Sequence, residues 1–417
     1  MKIEHQDETQ GNALRNAFNE IVGKGQDTFT PTRVVISKAK GVHLWTADGR
    51  RLIDFTSGVL VCNLGYNHKG FEKRVKAYSK GLPRNAYNMI AEIQVTASRR
   101  LRESIGLPQA DRVLWAASGS EGIQKAMWAC LARYPERNIM VATRAGFHGK
   151  KGLANDVTGE ASANPDVRWL SFPLDASADP EQFRGELDAL WHTHANKIAL
   201  LITEPYLGAR GSFHPPKWYH PLLQDWCRRH DIPFIFDEVQ ACFGRTGEMY
   251  AFQTYGVQPD MVVLGKGLAN GEPASAVVGR GDLIDALGYG GASDTFSGNP
   301  RACAAVCATL DIMEEEGVVE QARKTGKRLG EVLARLQQQF PFITAVRGEG
   351  MVYGVEMVDG AIANRCVLEA YRASAETGVH FLGPLHGKVL RVSPPLVLKK
   401  KNLAEAEELL MQAWERV

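Results

Sequence analysis

The feature that most constrains the fold is an alternation between short, almost wholly apolar runs and longer stretches with helical spacing. The runs fall at residues 113–116, 139–142, 198–203, 233–236, 261–264 and 275–278, and helical stretches such as 120–133 and 218–230 separate them. A strand with one wet face alternates polar and apolar residues. A run that is apolar throughout is buried on both faces, and with intervening helices it predicts a mostly parallel sheet covered on each side. The predicted fold class is therefore α/β. Residues 1–30 are polar and predict an arm or helix, and 34–55 read as short strands broken by a turn at Asp48-Gly49. Residues 70–105 have helical spacing, and a long Ala-rich helix is expected at 300–316, followed by helix–strand alternation to Val417. The expected division is a large central domain over 56–300 and a smaller α+β domain assembled from 1–55 and 301–417.

Size and charge narrow the function classes. The chain has 417 residues, 44% of them hydrophobic and 23% charged, which excludes a disordered or fibrous chain. At roughly 150 residues per domain this length suits two or three domains. With 49 Lys+Arg against 47 Asp+Glu the net charge is only +2, so neither nucleic acid nor an acidic membrane surface has electrostatic support. No apolar run approaches the roughly eighteen residues that span a bilayer, and the first twenty residues hold no apolar stretch of a secretory leader. Seven cysteines, an odd number without a CxxC pair, argue against a disulfide framework or a zinc cluster. No metal is expected, Cys303 and Cys307 read as small core residues, and the expected location is the cytoplasm.

In an open parallel sheet, ligands bind beyond the carboxyl ends of the strands. Three expected strands carry ionisable residues there: Glu204 after LLIT, Asp237 and Glu238 after PFIF, and Lys266 after VVLG. One such charge is ordinarily the first solvated loop residue; three on one edge point to a site. Lys266 lies between Gly265 and Gly267, so the backbone turns tightly and leaves the amine unobstructed. A lysine desolvated in a cleft is a competent nucleophile for a Schiff base with an aldehyde. The other reading is a phosphate-binding lysine, although GKGLANGEP is not a Walker-type loop. Asp237 ends an apolar strand and needs a cationic partner or several donors. Pyridoxal phosphate answers both residues, its aldehyde taking a lysine and its protonated ring nitrogen an aspartate. The stretch Ser118-Gly119-Ser120 follows a strand and opens a helix, where backbone N–H groups and the helix dipole hold an anion. With Glu121 behind it, the same stretch also reads as an ordinary N-cap.

At these residues the sequence resembles the class III pyridoxal-phosphate aminotransferases (fold type I, omega-aminotransferase group) over roughly residues 30–400. The matching stretches are SGSEGIQKAMWACLAR at 118–133, GFHGKKG at 146–152, EPYLGARGSFHPP at 204–216, FIFDEVQACFGRTG at 234–247, PDMVVLGKGLANGEP at 259–273, DTFSGNPRACAA at 294–305 and LRVSPPL at 390–396. The resemblance implies a fold type I enzyme and a homodimer with its active site at the subunit interface. It implies that Lys266 carries the internal aldimine and shuttles a proton, and that Asp237 binds the pyridine nitrogen. Val239 would pack on one ring face and Phe147, with His148 beside it, on the other. Gln240 would bond the ring oxygen, Ser118, Gly119 and Ser120 would hold the phosphate, and Thr295 would reach the neighbouring subunit's phosphate. Glu204 would lie near the ring as a catalytic carboxylate. Arg391 would clamp a substrate α-carboxylate, a planar group that suits a bidentate fork.

The implied activity is ping-pong transfer of an amino group from a primary amine (an ω-amino acid, diamine or amino sugar) to a keto acid. Epimerase, aminomutase and decarboxylase chemistry use the same cofactor and lysine, because a fold does not fix which bond breaks. A nicotinamide dehydrogenase lacks its GxGxxG here and leaves Lys266 unexplained, and a catalytically silent protein leaves Lys266, Asp237 and Thr295 unexplained. Two departures bear on the substrate. Many relatives have a glutamate in the loop after EP that neutralises the carboxylate-binding arginine, where this chain has Gly208-Ala209-Arg210-Gly211, preceded by Tyr206 and Leu207. Relatives often have a small residue where this chain has Asp294. A carboxylate there is either a binding group for a multiply aminated substrate or one half of a salt bridge at the dimer interface.

Overall fold

The computed structural model describes residues 3–26 and 28–417. The strands in chain order are β1 (Ile36–Lys40), β2 (His43–Thr46), β3 (Arg51–Asp54), β4 (Arg112–Ala116), β5 (Ile139–Thr143), β6 (Val167–Leu170), β7 (Ile198–Thr203), β8 (Phe234–Asp237), β9 (Met261–Leu264), β10 (Ser275–Gly279), β11 (Ile343–Glu349), β12 (Val352–Met357), β13 (Thr377–His380) and β14 (Val389–Val392). Two compact units result, one from Lys69–Val319 and one from the chain up to His68 together with Glu320–Val417.

The central unit holds a seven-stranded sheet in the order β4-β10-β9-β8-β7-β5-β6. The pairs from β9 through β8, β7 and β5 to β6 are parallel, and β10 runs antiparallel to both β4 and β9. Every residue of β5, β7, β8, β9 and β10 is buried, as continuous apolar runs require. All six apolar runs became strands with ends shifted by at most one residue, and the helices run Gly119–Arg133, Tyr219–Arg229 and Pro300–Glu315. The sequence reading missed β6. It is an edge strand of four residues whose middle pair, Arg168 and Trp169, is only half buried, so it shows no apolar run.

The units divide at His68/Lys69 and Val319/Glu320, beyond the expected 55/56 and 300/301. At the second boundary the cause is the Pro300–Glu315 helix, which packs on the helices Lys69–Tyr78 and Glu92–Ile105. There Asp311 accepts from Tyr78 Oη at 2.8 Å and pairs with Arg100 at 2.7 Å. Cys303 and Cys307 are buried on that helix, and all seven cysteines are free thiols.

The terminal unit contains a four-stranded sheet, β1-β2-β3-β13, and a three-stranded sheet, β11-β12-β14. The polar N-terminal segment forms a helix over Thr9–Ile21. Its exposed amides are capped in trans by the turn residue Asp48, which accepts from Gln10 N at 2.9 Å and Gly11 N at 2.8 Å. Among the described residues no helix is long and apolar enough to cross a membrane.

Gly122 shows how closely the Gly119–Arg133 helix lies on the sheet. A Cβ there would sit 2.4 Å from Ser275 Oγ and 3.0 Å from Val263 Cγ1, and that hydroxyl is already committed to Leu264 O at 2.6 Å. Gly122→Ala gains about 1 kcal/mol of helix propensity but meets an overpacking cost of about 1–3 kcal/mol. The thermal midpoint by circular dichroism is expected to fall by about 3 °C, and the same change in a Ser275→Ala background to leave it in place.

Candidate active site

Three adjacent strands, β7, β8 and β9, deliver the ionisable residues. Thr203 pairs with Phe236 and Asp237 with Val263, so Glu204 and Asp237 leave the sheet side by side and Lys266 follows one turn beyond. Lys266 is half buried and opens a 3-10 turn, Lys266–Ala269, with φ of 43°. That left-handed backbone costs a non-glycine residue about 1 kcal/mol or more. The strained lysine is thus set directly on the sheet edge.

Asp237 is buried, and its two oxygens are held separately. His148 Nδ1 donates to Oδ2 at 2.7 Å, and Val239 N donates to Oδ1 at 3.0 Å. Each oxygen keeps a lone pair for a further donor. The structure therefore puts His148, expected beside Phe147, against the carboxylate. Glu204 accepts from Phe147 N at 2.8 Å and from Gly208 N at 3.3 Å, tying the Phe147–His148 loop to the end of β7. Burial pushes Glu204 up to about 7; His148 opposes the shift and Asp237 adds to it. With both oxygens committed to backbone N–H groups, Glu204 positions the loop.

The Ser118 stretch forms the N-cap of its second reading. Ser118 caps the helix: its hydroxyl accepts from Glu121 N, while Glu121 Oε2 accepts from Ala117 N and Ser118 N at 3.0 and 3.1 Å. The N–H groups of Gly119 and Ser120, in the first turn, have no acceptor within the helix. Lys150 N donates to Ser120 Oγ at 3.4 Å, and Gly149 is obligatory above that hydroxyl, since a Cβ would come within 2.3 Å of it. Val239 fills the space between Gly119 and Gly265; a Cβ on either glycine would lie 2.8 or 3.1 Å from its Cγ1. Gly208 leaves similar room for the Gln240 amide, 2.3 Å from its built Cβ.

Thr295 is exposed, in the loop before the Pro300–Glu315 helix. Arg391 is buried on β14, in the terminal unit. Asp294 is paired within its own chain: Lys125 Nζ donates to Oδ2 at 2.6 Å. The carboxylate that could have bound a cationic substrate already holds a lysine of its own chain, which is the salt bridge of the second alternative rather than the substrate-binding group of the first.

Sequence reasoning missed two supports. Glu238, grouped with the site acids, is fully buried and caps the Ala251–Tyr255 helix, accepting from Ala251 N at 2.8 Å and Phe252 N at 2.6 Å; burial pushes it up to about 8. His220 is also fully buried and donates from Nε2 to Pro205 O at 2.9 Å, fixing the turn after Glu204. Burial lowers it to about 3, so it is neutral at pH 7. A lone histidine in a helical stretch gave no signal of this.

The profile of the family "Aminotransferase class-III" matches residues 25–414. The acetylornithine aminotransferase of Methanothermobacter thermautotrophicus is 32% identical over 390 residues, 92% of this chain and 94% of that protein. The probable 4-aminobutyrate aminotransferase of Bacillus subtilis is 28% identical, covering 94% of this chain and 95% of its own. Among solved structures, the amine transaminase from an uncultivated Pseudomonas species, in its PLP-bound (internal aldimine) form, superposes with a TM-score of 0.81 at 27% identity, covering 95% of this chain and 97% of that one.

The residues at the sheet edge fit pyridoxal phosphate. His148 Nε2 and Gln240 Oε1 are buried polar atoms with no hydrogen-bond partner among the described residues, as expected where a polar group completes a pocket. The glycines on either side of Val239 let its side chain sit between the helix start and the lysine turn.

The Glu204 environment has a thermodynamic consequence. A carboxyl whose folded pKa is raised from 4.5 to about 7 binds its proton more tightly when folded, so its contribution is present below pH 4.5 and lost as pH rises through 7. Glu204→Gln removes that loss. The difference in thermal midpoint, variant minus wild type, is expected to increase between about pH 5 and pH 7; a flat difference would contradict a buried, proton-retaining acid.

Proposed function

The chain belongs to the class III aminotransferases, and from that premise we propose that it transfers the amino group of an ω-amino acid to a keto acid. Amine-to-keto-acid transamination and pyridoxal phosphate come with the family. The donor class is our own reading, and the observation that carries it is the Asp294–Lys125 ion pair at 2.6 Å. Asp294 was the one sequence sign of a diamine or amino sugar, and it is already neutralised. The names of the relatives, acetylornithine and 4-aminobutyrate aminotransferases, support the same donor class.

Pyridoxal phosphate supplies an aldehyde that captures the amine and a ring that withdraws electrons from the substrate carbon. We assign the chain's residues as follows. Asp237, held by His148 and Val239 N, keeps a proton on the ring nitrogen. Val239 supports one ring face, Phe147 covers the other, and Gln240 meets the ring oxygen. Gly119 and Ser120, with Ser118 capping behind them, bind the phosphate through first-turn N–H groups, where the helix dipole favours an anion. The Lys266 amine holds the aldehyde at rest and moves the proton between substrate carbon and cofactor. Arg391 receives the substrate's carboxylate, and Thr295 contributes to the phosphate site of a second subunit in a homodimer.

Lys266→Ala is expected to lower kcat by about 10²–10⁴ or more, since it removes the positioned proton carrier. Borohydride reduction of the wild type should add the cofactor's mass to the Lys266 peptide and to no other. For the donor class, 4-aminobutyrate and N-acetylornithine are compared with putrescine and glucosamine by bleaching of the bound cofactor's absorbance. The ω-amino acids should bleach it faster without any keto acid, and faster bleaching by putrescine would overturn the donor assignment.

A further inference from the structure

Lys125 lies on the Gly119–Arg133 helix, less than two turns from the proposed phosphate-binding start, and is only 4% exposed. A buried ammonium persists only where its donors are matched, and here all three are. Lys125 Nζ donates to Trp115 O at 2.8 Å, to Asp294 Oδ2 at 2.6 Å and to Ser297 Oγ at 3.3 Å. Asp294 in turn organises its loop, with Oδ1 accepting from Phe296 N at 3.1 Å and Ser297 N at 2.8 Å, and the Ser297 hydroxyl bonded to Oδ2. Partial burial would raise the Asp294 carboxyl, but the Lys125 and Ser297 hydrogen bonds hold it down at about 2, so it is ionised throughout the working range.

The far end of the loop is pinned by packing. Gly298 has φ of 64° and lies flat on the Trp115 indole, where a Cβ would be 2.9 Å from Cγ. Trp115 is itself fixed by its Nε1 donating to Ser98 Oγ at 3.0 Å, and Asn299 then caps the next helix through Ala302 N at 2.9 Å. Thr295 and Phe296 are the two exposed residues left between these anchors. An exposed pair on an otherwise immobilised loop would lose little freedom on meeting a ligand or partner.

We propose that Lys125 and Asp294 form a brace that positions Thr295 for the cofactor phosphate. Lys125 is a positioning residue that acts through Asp294 and the loop and touches neither substrate nor cofactor. The inference rests on the assignment of Thr295 to a phosphate site given above. It also gives one helix two duties, since its first turn meets a phosphate and its second, through Lys125, holds the loop that reaches another.

The test follows release of pyridoxal phosphate from diluted holoenzyme by the bound cofactor's absorbance, in wild type, Lys125→Met, Thr295→Ala and the double variant. Lys125→Met is expected to speed release about tenfold, the loss of one well-placed charge-assisted contact. In the Thr295→Ala background it should add less than about twofold, because residues acting in series are not additive. A purely structural lysine would add its full effect in both backgrounds, and that result overturns the brace. Asp294→Asn, which keeps the acceptor for Phe296 N and Ser297 N but removes the charge, should shift release in the same direction; it carries the test if Lys125→Met does not fold. Wild-type release in Lys125→Met alongside faster release in Thr295→Ala overturns the brace alone. Wild-type release in Thr295→Ala overturns the phosphate assignment and the brace with it.

Discussion

The site depends on how one sheet edge accommodates three buried carboxylates, Glu204, Asp237 and Glu238, in two adjacent loops. Burying acids side by side is costly through both desolvation and mutual repulsion. Each is satisfied differently. Glu238 is turned away to cap the Ala251–Tyr255 helix, and Glu204 is enclosed by the amides of Phe147 and Gly208; both are displaced upward, to about 8 and about 7. Asp237 alone takes an imidazole, His148 Nδ1 at 2.7 Å. That hydrogen bond ties together the loop after β5 and the end of β8, and with the Glu204 contact it locks the Phe147–His148 segment over the sheet edge.

Close backbone approach is the second requirement, and it explains the glycines better than loop flexibility does. Gly119 opens the helix and Gly265 precedes the lysine, yet both serve one neighbour, the Val239 side chain between them. A methyl group on either would displace Val239 and separate the helix start from the lysine turn. Gly208 makes room for the Gln240 amide, and Gly149 admits the Ser120 hydroxyl. Gly119 and Gly265, far apart in sequence, are thus mutually dependent through one side chain.

The fold was legible because a sheet covered on both faces writes itself as continuous apolar runs, and runs as short as Ile198–Thr203 alternating with helical stretches fit strands better than helices. The edge strand Val167–Leu170 lacks that double burial and so left no mark. The site acids and Lys266 were legible because strand ends are the positions where an open sheet binds ligands. The division between units was not, since Asp311 commits the Pro300–Glu315 helix to the central unit through partners more than two hundred residues earlier. Asp294 was opaque for the same reason. Its partner Lys125 is 169 residues away and hidden inside a stretch that reads as ordinary helix.

That pairing bears on how such a chain acquires its substrate preference. Relatives named for acetylornithine and for 4-aminobutyrate resemble this chain about equally, so overall similarity does not choose the amine. Two segments of this chain depart from the pattern many relatives show. One is the turn after Glu204, where Tyr206 is buried and stacked on His214 at 4.6 Å, and Arg210 pairs with Glu160 at 3.4 Å beside Ala209. Arg210 and Glu160 neutralise one another there, as Lys125 and Asp294 do in the loop before the Pro300–Glu315 helix. Neither departure therefore leaves an unpaired carboxylate for a second ammonium group, in keeping with the ω-amino donor proposed above.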